Sequence, residues 1–196
     1  LVCLSSSCPA GVGLSGRSAL FTNSLTTNAL GSFKFKVTDN VRLYGEWVNI
    51  NNAKYFDYYF NSREDQQALL YGLRADYSFR TYNASWVVYQ HQIAYIRPAN
   101  VSEWVTIQSS VIYFDDTTKV TEYVMTDEPK TQLKNVLWTI SKYISVETGR
   151  VIPHHPELMD YLNAIALKGV DYQNLTFNQR IKQIKEQLRQ IPNKGL

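Results

Sequence analysis

The chain has 196 residues, of which 44% are hydrophobic and 19% charged, and a formal net charge of +3. That composition excludes an intrinsically disordered chain, and no apolar run approaches the ~18 residues a membrane-spanning helix needs. The length fits one domain plus extensions.

Charge is unevenly placed. Residues 1–38 hold Arg17, Lys34 and Lys36 and no acid, and residues 176–196 hold five bases against Glu186 alone. The body between the two basic ends therefore carries a net charge of −4. No Arg/Lys patch interleaves with the aromatic residues, so nucleic acid is not an expected partner.

Residues 1–32 are rich in Ser, Thr, Gly and Ala and lack acids. Organellar transit peptides have that composition, and so does a flexible arm. A chain beginning at Leu reads as a fragment or a processed product. Cys3 and Cys8 fit no zinc pattern without further ligands, so they read as free thiols or a small disulfide loop.

An α+β domain is expected over 33–173. "SFKFKV" alternates with period two, and "VRLYGEWVNI", "YFDYYF" and "DYSFRTY" carry strand-favouring aromatic and β-branched residues. Residues 62–73 interrupt this run as a helix, with Ser62 and Asp65 resembling a capping box. "ASWVVYQHQIAYI", "EWVTIQSSVIYF" and "KVTEYVM" follow as strands, and Asp115-Asp116-Thr117-Thr118 reads as the turn of a hairpin. Leu133, Val136, Leu137, Ile140 and Ile144 fit a 3.6-residue period, which predicts a helix ending at Gly149. Pro156 opens a second helix, closed by Gly169, and Thr176 with Gln179 opens a third. The expected architecture is a curved antiparallel sheet of about six or seven strands, covered by C-terminal helices.

The third helix, at 174–196, is basic and amphipathic. Its apolar positions Phe177, Ile181, Ile184, Leu188 and Ile191 make a narrow heptad seam, suited to docking on a partner.

His91 lies mid-strand, where strict alternation places Val87, Tyr89, His91, Ile93 and Tyr95 on one face. Tyr89 and His91, with Tyr113 from the next strand, would line a ligand pocket. A Tyr–His pair at this spacing can transfer a proton. Asp76 joins them as a candidate base, alongside Asp57 and Glu46, because burial among tyrosines raises a carboxyl pKa. An ordinary hydrogen-bonded histidine and a plain Arg74–Asp76 ion pair explain the same residues. His154-His155-Pro156-Glu157 lacks the spacing that sets two imidazoles on one helix face, so it reads as a loop and helix start rather than a metal site. No Gly-rich phosphate loop, nucleophile elbow or cofactor motif is present, and neither a cofactor nor a metal is expected.

"SSVIYFDDTTKVTEYVMTDEP" resembles the closing hairpin of the SnoaL-like and nuclear transport factor 2-like (cystatin-like α+β) superfamily. "VTDNVRLYGEWVNINNAKYFDYYF" is similar to that family's strand, turn and short helix. The resemblance spans about residues 37–128 and implies a bent sheet around a conical cavity. Some members hold an Asp or His base and a Tyr donor there, and many others are inert binding modules. Gly45-Glu46-Trp47 also matches the lipocalin Gly-x-Trp, but about seven strands are too few for an eight-stranded barrel.

The reading favoured by these features is a non-enzymatic accessory subunit of a larger, organellar assembly, docked through its arm and terminal helix. Its partners would be protein subunits, with a homodimer as a further option. The alternative is a small-molecule-binding or isomerase/cyclase-type enzyme, with Tyr89, His91 and Asp76 at its site. A secreted glycoprotein would use the sequons at Asn83, Asn100 and Asn174.

Overall fold

A computed structural model describes residues 32–36, 55–57, 59–60, 77–100 and 103–190. The N-terminal arm, Cys3, Cys8, Glu46, the helix expected at 62–73, Asp76 and Ile191 lie outside the described residues.

Among the described residues, five strands form one antiparallel sheet: β1 (Ser32–Lys36), β2 (Ala84–Tyr95), β3 (Trp104–Phe114), β4 (Thr118–Asp127) and β5 (Leu133–Ser145). Their order is β1-β3-β4-β5-β2, so four long strands carry the sheet and short β1 lies at one edge. Helices α1 (Tyr77–Tyr82), α2 (Pro156–Ile165) and α3 (Phe177–Gln190) accompany it, and Tyr55–Asp57, Tyr59 and Phe60 are also helical.

Helical residues cover both faces. On the inner face Tyr55 and Tyr59 pack with Val105, Ile107, Tyr123, Met125 and Leu137 in one buried cluster. The Tyr59 and Tyr123 rings lie 5.3 Å apart. On the outer face, Ile181 and Ile184 of α3 pack on Leu133 and Val136. The sheet of six or seven strands, covered only by C-terminal helices, is therefore replaced by four long strands with helices on both sides.

Three local expectations change for identifiable reasons. Residues 133–145 form a strand, not a helix. With both sheet faces covered, Val136, Trp138 and Ile140 are packed on one side and Leu137 and Tyr143 on the other, so alternation gives way to a near-continuous apolar run. "YFDYYF" is helical where strand was expected. The i, i+4 pairs Tyr55/Tyr59 and Phe56/Phe60 put its aromatic rings on adjoining helical faces, and burial outweighs their strand propensity. "YSFRTY" forms α1, and Asn83 at φ 48° turns the chain from it into β2.

α3 begins as its capping box requires. Thr176 Oγ1 accepts from the Gln179 N–H at 3.3 Å, while Gln179 Oε1 accepts from the Thr176 N–H at 2.9 Å. Its apolar seam is spent inside the chain: Phe177 packs on Trp138, and Ile181, Ile184 and Leu188 on the β4–β5 surface. Arg180, on the same helix, is buried. Its Nε and Nη2 reach Glu122 Oε2 and Oε1 at 2.9 and 2.8 Å, and the Trp138 indole donates to Oε2 at 2.9 Å. Glu122 and Trp138 are cross-strand neighbours, which is why one carboxylate serves both donors. Among the described residues, no helix is long and apolar enough to cross a membrane.

Candidate active site

Strand β2 contains a bulge. Register runs Val88↔Ser141 and then Gln90↔Ile140, which leaves Tyr89 without a cross-strand partner. The extra residue reverses the alternation. Trp86 and Val88 now share the face of His91, Ile93 and Tyr95, opposite Tyr143, Ser141, Thr139, Leu137 and Asn135. The continuous Val87–Tyr89–His91 face expected from simple alternation is broken at Tyr89, which is 71% exposed.

His91 lies beside the inner-face helical residues. Its ring centroid is 5.1 Å from Phe56 and 6.0 Å from Phe60. Its Nδ1 is 3.1 Å from the hydroxyl of Thr139, the residue opposite it on β5. Partial burial pushes the imidazole pKa below 6.5, so the ring is neutral at neutral pH. Nearby, Tyr55 meets Tyr95 edge-on at 5.5 Å and accepts the Ala99 N–H at 3.0 Å. These contacts fix the helical residues against both β2 and the loop after it. The result is a solvent-exposed, neutral imidazole oriented by Thr139 and set beside two aromatic rings, a polar group next to an apolar surface.

The other candidates are placed elsewhere. Tyr113 lies on the outer face, stacked on Tyr172 at 4.9 Å and donating to Asp115 Oδ2 at 3.3 Å, so it does not meet His91. The expected docking residues Phe177, Ile181, Ile184 and Leu188 pack on the chain's own sheet. Phe56, Phe60 and Thr139 were absent from the sequence-based pocket. The i, i+4 aromatic spacing at 55–60 was the available signal for the first two; Thr139 carries none.

The acidic pair at 115–116 and the paired histidines form one structural unit. Asp115 Oδ1 accepts the N–H groups of Thr117 and Thr118 at 2.9 and 2.7 Å. Burial raises the Asp115 carboxyl pKa, but those hydrogen bonds outweigh it and hold the group below its ordinary value. The Asp115 carbonyl accepts from His154 Nδ1 at 3.0 Å, and the Asp116 carbonyl from the His154 N–H at 2.7 Å. His155 is the N-cap of α2 without a side-chain cap bond, and Tyr82 stacks on it at 4.3 Å. Tyr82 also donates to Glu157 Oε2 at 2.5 Å, tying α1 to α2. Among the described residues, no group of three His, Cys, Asp or Glu could hold a metal ion.

No protein-family model and no curated protein matches the chain. Solved structures do. The chain is similar to YbaW, a probable thioesterase from Escherichia coli, at 23% identity and TM-score 0.58, over 69% of this chain and 98% of that one. It is similar to the 12:0-ACP thioesterase from Umbellularia californica at 10% identity and TM-score 0.62, over 77% of this chain and 60% of that one. A third likeness is to SAV2348 from Staphylococcus aureus in complex with CoA, at 11% identity and TM-score 0.60, over 79% of this chain and 98% of that one. The fold is the hotdog-type fold of thioesterases, and the SnoaL-like resemblance is overturned. The accessory-subunit reading falls with it. Its docking seam is core, and its expected fold is replaced by one whose solved examples include enzymes.

Proposed function

We propose that this chain is a small-molecule enzyme of thioesterase type, which hydrolyses an acyl thioester at the exposed His91 imidazole beside Phe56 and Phe60. The observation that carries the reading is a neutral imidazole, oriented by Thr139 and walled by aromatic rings, in a fold shared with thioesterases.

The chemistry uses what His91 and its neighbours supply. In the tautomer in which Nδ1–H donates to Thr139 Oγ1, Nε2 holds the lone pair of a general base. Nε2 takes a proton from water, whose oxygen attacks the thioester carbonyl carbon. The C–S bond breaks as the C–O bond is completed, and His91 returns the proton to the departing sulfur. The products are a carboxylic acid and a thiol, and water is the co-reactant. The acyl group lies against Phe56 and Phe60, so binding draws on apolar burial and the reaction on a polar group beside it.

The reading is tested by following thiol release from acetyl-, hexanoyl-, lauroyl- and benzoyl-CoA with the purified chain. Turnover of at least one thioester well above spontaneous hydrolysis supports it. No release from any of them overturns it.

A further inference from the structure

Asn135 breaks two local rules at once. Asn is depleted from strands, yet it lies within the apolar run of β5. It is also fully buried, and neither its Oδ1 nor its Nδ2 has a hydrogen-bond partner. Among the described residues it is the only side chain with two such atoms. A buried carboxamide left unmet is costly, and a residue that costs stability without a local reason points to function.

The position of Asn135 shows what can meet it. It lies on the inner face, directly opposite Met125 on β4 and Tyr95 on β2. Met125 and Leu137 beside it belong to the buried cluster under Tyr55 and Tyr59. On the β2 side that cluster is open: His91 and Tyr95 are exposed, and Ile93 and Phe56 are half-buried. An apolar strip therefore runs along β2 from the His91 imidazole to Tyr95. Tyr95, 44% exposed, stands between Asn135 and the sheet edge. The strip covers four strand residues, about 13 Å, which about ten extended single-bonded atoms span.

We propose that Asn135 recognises a hydroxyl at the far end of the acyl chain, so that the substrates are medium-chain hydroxyacyl thioesters rather than plain acyl thioesters. A carboxamide is uncharged and both donates and accepts, which a hydroxyl matches and a methyl end does not. The chain lies along Ile93 and Phe56, and the Tyr95 ring swings outward to admit the hydroxyl. The inference rests on the hydrolase reading, which sets the thioester at His91.

Binding and turnover are measured separately, so that each can fail alone. Calorimetric titration of the full chain compares 8-hydroxyoctanoate, 10-hydroxydecanoate and 12-hydroxydodecanoate with the unsubstituted acids of equal length. At least one hydroxy acid should bind at least about fivefold tighter than its counterpart, the scale of one buried hydrogen bond. That preference should vanish in Asn135→Leu, whose Tm should equal or exceed that of wild type because the unmet carboxamide is gone. Asn135→Val, a smaller strand-forming side chain, takes its place if the leucine variant does not fold. No preference in wild type, as an internal water serving Asn135 would give, overturns the proposal. A preference that survives in either folded variant also overturns it. Thiol release from decanoyl-CoA and 10-hydroxydecanoyl-CoA tests the reading beneath it. Release from both at equal kcat/KM leaves hydrolysis standing and overturns the hydroxyl site. A binding preference without release overturns hydrolysis alone.

Discussion

The Trp86 indole donates to His154 Nε2 at 2.8 Å, joining β2 to the segment that leads into α2. The opposite nitrogen of the same ring donates to the Asp115 carbonyl. A carbonyl only accepts and an indole N–H only donates, so Nδ1 carries the proton and Nε2 does not. Both bonds exist together only in the neutral ring.

Acid should therefore weaken the fold. Burial, the largest effect, lowers the His154 pKa; the Asp115 carbonyl opposes it and the Lys119 ammonium reinforces it, leaving a net shift below 6.5. A base whose folded pKa is depressed binds fewer protons when folded than unfolded. Stability is then full above the unfolded value and is lost as pH falls from about 6.5 towards the folded pKa. Thermal melts between pH 7.5 and 5 should show Tm falling over that range. The fall should be smaller in His154→Phe, and an equal fall in that variant would contradict the assignment.

Glu122 and Arg180 make a second buried test. Glu122→Leu leaves the Arg180 guanidinium without its partner, and urea denaturation should show a loss of about 3–5 kcal/mol. Glu122→Leu with Arg180→Met removes both charges and should recover most of that loss.

Tyr59 is fully buried against Tyr123, so Tyr59→Ala should cost about 3–5 kcal/mol, as truncation of large aromatic side chains in cores does. A loss under about 1 kcal/mol would mean that the helical residues at 55–60 do not hold the inner face.

Deleting 174–196 should unfold or aggregate the chain. It exposes Leu133, Val136 and Trp138, which α3 and Phe177 cover. A deleted chain that keeps its cooperative melt would show instead that the helix is a detachable docking element.

Much of this architecture is legible in local pattern. Strands β3 and β4 alternate up to a turn whose Asp and Thr residues bond as turn residues do, and the capping box at Thr176–Gln179 marks the start of α3. β5 is misread because cover on both faces removes its alternation. The Tyr89 bulge is hidden because one extra residue leaves no mark on composition, yet it decides which residues share the His91 face. The heptad seam of α3 gives its apolar stripe correctly but says nothing of whether the partner is another chain or this chain's own sheet. The site itself depends on contacts between positions 56, 60, 91 and 139, which no local window contains.

The most direct test of the central claim is thiol release from the preferred acyl-CoA by wild type and His91→Ala, measured across pH. Wild type should lose kcat/KM on the acid side as His91 gains its proton, with a midpoint below 6.5. His91→Ala should fall about 100-fold or more with little change in Tm. Wild-type activity that persists undiminished in His91→Ala would contradict the account.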